Sequence, residues 1–257
     1  MSADTYLQNI LIREAVDIGL YSPVRSLRGA LTPILQEWGG QYLMGIAPSG
    51  SFAKGTANRS GTDIDLFLSL AQSTPHTLKE IYEKLFAHME RAGFNPKRQN
   101  VSIGIRANIA GVSYDVDLVP GRRQDWISQD HSLFRRRADT WTKTNVDKHI
   151  QHVSASYRTQ EMRVLKLWRN QKQLDFTSFY LEMTVIAALY GAPYTTLANN
   201  VWKVFGYLTT KFESARVIDP ANTNNILSDE LSAEEKRKIK MAAGRALAAS
   251  DWNQIVT

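Results

Sequence analysis

The sequence predicts an α+β fold, in which a lobe that combines a sheet with helices precedes a lobe made of helices alone. Between 41 and 120, apolar and polar residues alternate in several short segments, which is the period of β-strands. From 149 onwards, apolar residues recur every three or four positions, as they do on one face of a helix. The change of period near Asp147 divides the chain into the predicted domains 1–147 and 148–257.

The composition is that of a globular protein. Of the 257 residues, 43% are hydrophobic and 22% are charged, which excludes a mainly disordered or collagen-like chain. The absence of cysteine excludes disulfides, thiolate zinc sites, iron–sulfur clusters and a cysteine nucleophile. The first residues do not resemble a signal peptide, and no apolar run is long enough to cross a bilayer. We therefore expect a cytoplasmic protein without a membrane partner, and its net charge of +6 suggests an anionic one.

The segment 5–38 is predicted to be helical, because its apolar residues lie three or four positions apart. Pro23 and Pro33 are expected to start or kink helical segments, and Gly39 to end the region. Further helices are predicted at 149–170, 176–190, 196–212 and 233–250. A capping box of Ser232 and Glu235 precedes the last of them.

Strands are predicted at 42–47, 63–70, 101–110 and 112–119, with a helix at 78–92 and a turn at Gly111. In the strand 63–70, alternation places the apolar side chains on one face and Asp63 and Asp65 together on the other. By the same rule, Asp115 and Asp117 share one face of the strand 112–119. The basic and aromatic segment 121–145 is interpreted as a connection.

The most specific pattern is Gly50–Ser51 followed, eleven residues later, by Asp63 and Asp65. A Gly-Ser turn that opens a helix presents main-chain N–H groups and a hydroxyl to a phosphate. Two carboxylates on one face of a strand can share hard cations, and Asp117 on a neighbouring strand would supply a third. Three carboxylates suit a pair of divalent ions that holds the attacking and leaving oxygens of a phosphoryl displacement.

These motifs resemble a known family. The run Gly50–Thr56 together with Asp63–Leu66 resembles the signature of the DNA polymerase β-like nucleotidyltransferases. The resemblance is to the branch of 2′-5′-oligoadenylate synthetases, cyclic GMP-AMP synthases and their bacterial antiphage relatives. The segment Asp115–Pro120 is similar to the family's third-carboxylate strand, where an Asp precedes a Pro by three residues. That pattern identifies Asp117, not Asp115, as the third metal ligand.

Further segments extend the resemblance over nearly the whole chain. The segment 141–145 resembles the family's connection between lobes, although Val146 stands where many relatives have proline. Lys166 lies in a segment similar to the helix whose lysine contacts the nucleotide triphosphate. Ser178 and Tyr180 lie in a segment similar to the next helix, whose serine or tyrosine faces the same phosphates.

The resemblance implies a polymerase β-like nucleotidyltransferase lobe with a mixed sheet, a helical carboxy-terminal lobe, a helical segment 5–38 that bridges them and an active site in the cleft between. It implies two Mg²⁺ ions, for which Mn²⁺ is expected to substitute. The implied catalytic residues and metal ligands are Asp63, Asp65 and Asp117. The implied nucleotide-binding residues are Gly50, Ser51, Lys166, Ser178 and Tyr180.

The residue types alone leave other roles open for several of these side chains. Lys166 is also compatible with a surface lysine, Ser178 with a helix N-cap, and Tyr180 with a core aromatic or a base-stacking ring. Asp115 is expected to support the site rather than to bind metal. The arginine runs 122–123 and 135–137 are candidates for a nucleic-acid or triphosphate path, although such runs are usually solvated. The histidines show no metal-ligand spacing, so no zinc site is expected.

The implied reaction is template-independent joining of nucleotides from NTPs or dNTPs into a cyclic or linear oligonucleotide, with release of pyrophosphate. The product would be a signal in antiphage defence, and the implied partners are these nucleotides and an effector protein that senses the product. An alternative is a CCA-adding-like or AMPylating transferase acting on an RNA, DNA or protein hydroxyl, which leaves nucleic acid open as a partner. A third interpretation is a binding module with an inactive site, which the intact Asp63, Asp65 and Asp117 disfavour.

Overall fold

The computed structural model describes residues 1–19, 22–61, 63–193 and 195–257. The chain folds into two compact units, which we call the sheet unit and the helical unit. The sheet unit comprises 16–54 and 62–150. The helical unit comprises 1–15, 55–61 and 151–257. The predicted boundary lies between 147 and 148, whereas the last boundary between the two units lies between 150 and 151. The segments 1–15 and 55–61, which the prediction places in the first domain, also belong to the helical unit.

The sheet unit is built on a mixed, seven-stranded sheet. Its strands are β1 (Leu43–Pro48), β2 (Ile64–Leu70), β3 (Lys97–Arg98), β4 (Ile103–Ile109), β5 (Val112–Arg123), β6 (His131–Arg135) and β7 (Thr140–Thr144). The order is β1-β2-β5-β4-β3, and β6 pairs with both β5 and β7. Only β2 and β5 run parallel among these strand pairs. The predicted α+β class is therefore confirmed.

Helices cover the apolar face of this sheet. The unit contains α2 (Pro23–Gly39), α3 (Gly50–Lys54) and α4 (Leu78–Arg91), while α5 (Val146–Ser154) crosses the unit boundary. Ile64, Leu66 and Leu68 of β2 are at most 1% exposed and share one core with apolar residues of α2 and α4. The predicted apolar face of β2 is confirmed, and its burial sets the opposite face free for polar side chains.

The segment 121–145 differs from its predicted role as a connection. The strand β5 continues to Arg123, and β6 and β7 form an antiparallel hairpin that follows it. Leu133 and Phe134 of β6 are buried, which explains why this basic segment is ordered into strands. The apolar pair Leu133 and Phe134 is too short, beside the arginines at 135–137, to give the alternating pattern that predicts a strand.

The helical unit has its own core. It contains α1 (Ala3–Arg13), α6 (Thr159–Gln171), α7 (Ser178–Ala188), α8 (Leu197–Thr210), α9 (Ala233–Leu247) and the two-stranded β8 (Ile218–Asp219) and β9 (Asn222–Ile226). Trp168, Phe205 and Phe212 are fully buried at its centre. The capping box of Ser232 and Glu235 at the start of α9 is confirmed. The β8–β9 hairpin corrects the prediction that this part is helical to its end.

The predicted helical segment 5–38 is two helices, α1 and α2, rather than one. Each begins at a serine N-cap, Ser2 for α1 and Ser22 for α2. Pro23 is the first residue of α2, a position whose main-chain N–H has no acceptor within the helix, so a proline fits there. The helix α1 belongs to the helical unit and α2 to the sheet unit.

Hydrogen bonds explain why the short segment 55–61 belongs to the helical unit. Asn58 and Arg163 bond to each other twice, with the Asn58 amide donating to the Arg163 carbonyl and Arg163 Nε donating to Asn58 Oδ1. Glu14 accepts from the main-chain N–H groups of Arg59 and Ser60 at 3.0 and 2.9 Å. Within the described residues, no helix combines the length and apolar character needed to cross a membrane.

Candidate active site

Three aspartates lie at neighbouring positions on two central strands of the sheet unit. The parallel register of β2 and β5 places Asp65 directly beside Asp117. Asp63 immediately precedes β2 and is two residues from Asp65, so both lie opposite the buried row that contains Ile64. The structure therefore brings the three predicted carboxylates to one face of the sheet.

The Gly50–Ser51 motif lies beside the same acids. The main-chain N–H of Ser49 donates to the carbonyl of Asp65 at 2.9 Å, which attaches the start of α3 to the start of β2. Gly50 has a φ of +56°, and a Cβ at this position would collide with the carboxylate of Asp65. Glycine is thus required both by the backbone conformation and by the close approach of Asp65. Ser51 follows in the first turn of α3, where it is half-buried.

Two of the three aspartates, Asp117 and Asp63, have raised pKa values. Burial, followed by the negative charges of Asp65 and Asp63, raises the pKa of Asp117 to about 6. Burial and the nearby Asp115 also raise the pKa of Asp63. The negative charges of Asp65 and Asp63 make the ionised form of Asp117 less favourable, and a cation would relieve this repulsion.

Asp115 lies on the same face of β5 as Asp117, but it is paired with an arginine. Arg106 of β4 stands opposite it and forms two parallel bonds, Nε to Oδ1 at 3.0 Å and Nη2 to Oδ2 at 3.2 Å. The hydrogen bond from Arg106 lowers the pKa of Asp115. The charge of Asp115 is therefore already compensated, which agrees with the expectation that it is not a metal ligand.

Gln99 is a contact of the site that the sequence did not indicate. Its Nε2 donates to Asp117 Oδ1 at 2.7 Å, and its Oε1 accepts from the hydroxyl of Ser102 at 2.9 Å. The main-chain carbonyl of Gln99 accepts from the hydroxyl of Tyr82 at 2.8 Å. No periodicity or motif marks Gln99, because its position depends on the short segment between β3 and β4.

A pocket of about 420 Å³ opens beside these residues within the sheet unit. Its polar lining combines three carboxylates with two cations and two amides: Asp63, Asp115, Asp117, Lys97, Arg106, Asn95 and Gln99. A pocket of this size can accept part of a nucleotide, and its cations can meet an anionic group.

The donor chemistry of the three aspartates fits Mg²⁺, which prefers carboxylate oxygens. The raised pKa of Asp117 reports that Asp65 and Asp63 act on it electrostatically. The side chains as placed do not already surround one metal position: the part of the chain that the structure describes contains no group of three or more His, Cys, Asp or Glu in such an arrangement. In this arrangement Asp117 Oδ1 accepts a hydrogen bond from Gln99, and Asp65 lies against Gly50.

In the helical unit, Lys166 is enclosed in a buried polar network. Its Nζ donates to Glu182 Oε1 at 2.6 Å, to the Thr56 hydroxyl at 2.8 Å and to the Thr56 carbonyl at 3.3 Å. Lys166 and Glu182 are 5% and 0% exposed. The three acceptors match the three protons of the ammonium. A contact with a triphosphate requires Nζ to exchange one of these oxygens for a phosphate oxygen, and this role stays a prediction.

Ser178 begins α7 and is held by an arginine. Arg169 Nη1 donates to the Ser178 hydroxyl at 3.0 Å and to the carbonyl of Phe176 at 2.7 Å. The N-cap position of α7 is occupied by Thr177, so the alternative N-cap role of Ser178 is wrong. Arg169 was missed by the sequence argument, although a guanidinium beside a helix start is suited to binding an anion.

Tyr180 is a correction to the predicted nucleotide-binding set. Its side chain is fully buried, its ring stacks on Phe212 with centroids 5.5 Å apart, and the ring of Phe176 lies nearly perpendicular to it with centroids 5.1 Å apart. As placed, the ring belongs to the core, and no base can stack on it. The next residue towards the start of α7, Phe179, is only half-buried, since one helical step turns it about 100° away from Tyr180.

The basic runs are partly committed to contacts within the sheet unit. Arg122 Nη1 donates to the carbonyl of His76 at 2.8 Å, and Arg136 Nε donates to the carbonyl of Gln99 at 3.1 Å. Arg123 Nη2 donates to Gln129 Oε1 at 2.8 Å. These bonds favour a structural role for Arg122, Arg123 and Arg136 over a free anionic path.

Comparisons with known proteins point to the same branch as the motifs. No protein-family model matches the sequence. A cyclic AMP-AMP-AMP synthase of Escherichia coli (strain MS 115-1) is 28% identical over 230 residues, which span 80% of this chain and 70% of that protein.

Two solved structures share the fold. In the complex of Escherichia coli MS115-1 CdnC with HORMA-deltaN, a chain matches with a TM-score of 0.78 and 21% identity, covering 95% of this chain and 89% of that chain. The cyclic dinucleotide synthase CdnE of Elizabethkingia meningoseptica, solved with GTP and Apcpp, matches with a TM-score of 0.72 and 14% identity, covering 99% of both chains. At these identities the two matches establish the architecture.

Proposed function

We propose that the chain is a DNA polymerase β-like nucleotidyltransferase of the branch that includes cyclic GMP-AMP synthases and their bacterial antiphage relatives, and that it joins nucleoside triphosphates into a cyclic oligonucleotide. The product would be released with pyrophosphate and would serve as a signal, sensed by an effector protein, in antiphage defence. The relationship to a cyclic AMP-AMP-AMP synthase favours ATP among the substrates.

The observation that carries the proposal is the meeting of Asp63, Asp65 and Asp117 beside Gly50 in the sheet unit. A binding module has no need of three mutually repelling carboxylates on one face of a sheet. Phosphoryl transfer does need them, because its catalysis consists of positioning and of neutralising negative charge.

We propose that Asp63, Asp65 and Asp117 hold two Mg²⁺ ions. When bound, the metal would neutralise charge on the triphosphate and on the attacking oxygen. The N–H groups at the start of α3 and the Ser51 hydroxyl are proposed to bind the triphosphate. In the helical unit, Lys166 and Ser178, with Arg169 beside Ser178, are proposed as nucleotide-binding residues.

In the proposed reaction, an acceptor hydroxyl attacks the α-phosphorus of an NTP in line. The new O–P bond forms as the bond between the α-phosphorus and the bridging oxygen of pyrophosphate breaks. The hydroxyl proton passes to the carboxylate of Asp117, which then releases it to water. Asp117 is suited to this step because its partner Gln99 donates one hydrogen bond without neutralising the carboxylate.

The test is incubation of the purified chain with each labelled NTP and dNTP and Mg²⁺, followed by mass spectrometry. Discrete cyclic products support the proposal. Linear products on an added RNA or DNA, or nucleotide attached to protein, would replace it by the alternative transferase. No nucleotide product under any condition, from protein that binds NTP, would favour a binding module.

A further inference from the structure

We propose that Gln99 is a positioning residue that orients the carboxylate of Asp117 for metal binding and for acceptance of the hydroxyl proton. The inference rests on the proposed function. It adds to the aspartates a neutral amide that none of the motifs contains.

The hydrogen bonds of Gln99 fix the orientation of its amide. An ionised carboxylate has no proton to donate, so the amide nitrogen must face Asp117, at 2.7 Å from Oδ1. The amide oxygen then faces Ser102, whose hydroxyl donates to it at 2.9 Å. With both ends engaged, the amide holds Oδ1 of Asp117 in one direction.

The backbone of Gln99 is fixed independently of its side chain. The hydroxyl of Tyr82, which is fully buried, donates to the carbonyls of Gln99 and Ser102 at 2.8 and 3.1 Å. Arg136 Nε donates to the same Gln99 carbonyl at 3.1 Å, and the Gln99 N–H donates to the Ser102 carbonyl at 3.0 Å. A change of the Gln99 side chain should therefore leave this segment in place.

Gly104 provides the space for this contact. It is paired with Asp117 across β4 and β5, and a Cβ on it would lie 2.8 Å from Gln99 Nε2 and 3.2 Å from Asp117 Oδ1. Two residues along β4, Arg106 occupies the corresponding place opposite Asp115 and neutralises it. Opposite Asp117, a glycine and an amide orient the carboxylate and preserve its negative charge.

The experiment compares the wild type with Gln99→Ala, Gly104→Ala and a matched control, Gln124→Ala. Gln124 also lies in the sheet unit and uses its amide once, donating to the Ser132 hydroxyl at 3.0 Å. Binding of Mn²⁺ is measured by electron paramagnetic resonance without nucleotide, so that this readout does not depend on turnover. Steady-state rates, melting temperatures and ATP affinity are measured on the same samples.

For Gln99→Ala we expect Mn²⁺ affinity and kcat to fall about 10- to 100-fold, the usual effect of losing a partner of a metal ligand. The KM for ATP should change by less than about twofold. Gly104→Ala should act in the same direction, since it displaces an amide that is still present. Gln124→Ala should match the wild type in Mn²⁺ binding and rate.

Wild-type Mn²⁺ affinity and kcat in Gln99→Ala would overturn the inference. The inference would also be overturned if the losses of Mn²⁺ affinity and kcat came with an equal fold loss of ATP affinity and a lowered melting temperature. Such a result would indicate a general structural role for Gln99. A wild type that forms no nucleotide product refutes the proposed function instead. In that case, the Mn²⁺ measurements still decide whether Gln99 orients Asp117.

Discussion

Two groups of carboxylates, one in each unit, are built on opposite principles. In the sheet unit, Asp117 lies beside Asp65 and its pKa is raised to about 6 by burial and by like charges. In the helical unit, Glu182 is completely buried, yet it contacts the ammonium of Lys166 at 2.6 Å and the hydroxyl of Thr56 at the same distance. Like charges act on Asp117, whereas Glu182 is paired with a cation.

The difference shows how to separate a structural charge from a functional one. A buried carboxylate that only stabilises a fold needs a cation and hydrogen-bond donors, since an unpaired charge costs several kcal/mol. A carboxylate cluster that stays negatively charged lowers the free energy of unfolding unless a bound metal ion supplies the positive charge. The sheet unit is therefore where a divalent metal is expected to act. In the helical unit, removal of a charge from the Lys166–Glu182 pair should damage the fold, in addition to any effect on the proposed nucleotide contact of Lys166.

The largest expected effect is the loss of activity on removing an aspartate of the cluster. Asp63→Ala and Asp117→Ala should each lower product formation by about a thousandfold, the order observed when one preorganised charge-stabilising group is removed. The yield of labelled oligonucleotide measures this effect, and circular dichroism should show an intact fold.

The control for these variants is Asp139→Ala, which removes an exposed carboxylate that pairs with Lys79. It should retain wild-type activity. If Asp63→Ala converts NTPs as the wild type does, the assignment of the site is wrong.

The next largest effect concerns the helical unit. Glu182→Gln should lower the free energy of unfolding by about 3 kcal/mol, because it removes the charge of the carboxylate that pairs with the buried ammonium of Lys166. The urea unfolding curve of the full chain measures this change. The double variant Lys166→Met with Glu182→Leu should recover much of the loss. Single-variant losses below about 0.5 kcal/mol would show that the pair does not stabilise the fold.

The Lys166–Glu182 pair also shows which features can be predicted from the sequence and which cannot. Strand β2 and its acidic face follow from a period of two, and Asp117 follows from a motif, because both signals are local. Glu182 carries a signal that was overlooked: a lone carboxylate inside the apolar run 176–190 is almost never buried without a cation. Its partner Thr56 lies 126 residues away, and no local pattern relates the two.

Other features depend on packing that the sequence does not display. Tyr180 and Phe179 are adjacent aromatics in a helix whose residues are apolar on all sides, so periodicity could not tell which of them enters the core. Gln99 becomes part of the site only because Tyr82 and Arg136 fix its carbonyl. These contacts are long-range, and each would look ordinary in the sequence alone.

Replacing a carboxylate by an amide in the sheet unit is expected to change the free energy of unfolding less than Glu182→Gln does, and in the opposite direction. Asp117→Asn should raise the free energy of unfolding of the metal-free protein at neutral pH by about 1 kcal/mol, a value reduced for the partial exposure of the group. The raised pKa means that the folded state binds the proton more tightly than the unfolded chain. The contribution of Asp117 to the free energy of unfolding of the wild type should therefore fall as the pH rises from about 4 to about 6.

The measurement is urea unfolding in EDTA across this pH range. The difference between Asp117→Asn and the wild type should vanish below the ordinary pKa of an aspartate and be complete above the raised one. A variant that is less stable than the wild type at neutral pH would contradict the repulsion that the comparison assumes.

The smallest effect is expected two residues along the same strand. Asp115→Asn changes a carboxylate that Arg106 already compensates, so it relieves only the weak repulsion that Asp115 exerts on Asp63 and Asp117, and it leaves no buried cation unpaired. Because both side chains are largely exposed, water replaces the lost bonds, and the midpoint of urea unfolding should stay within experimental error of the wild type. The lowered pKa of Asp115 further predicts that any residual effect has the opposite sign to that of Asp117→Asn. If Asp115→Asn instead stabilised the metal-free protein as much as Asp117→Asn, the repulsion would belong to the whole face of β5 and not to the three aspartates assigned to the metal.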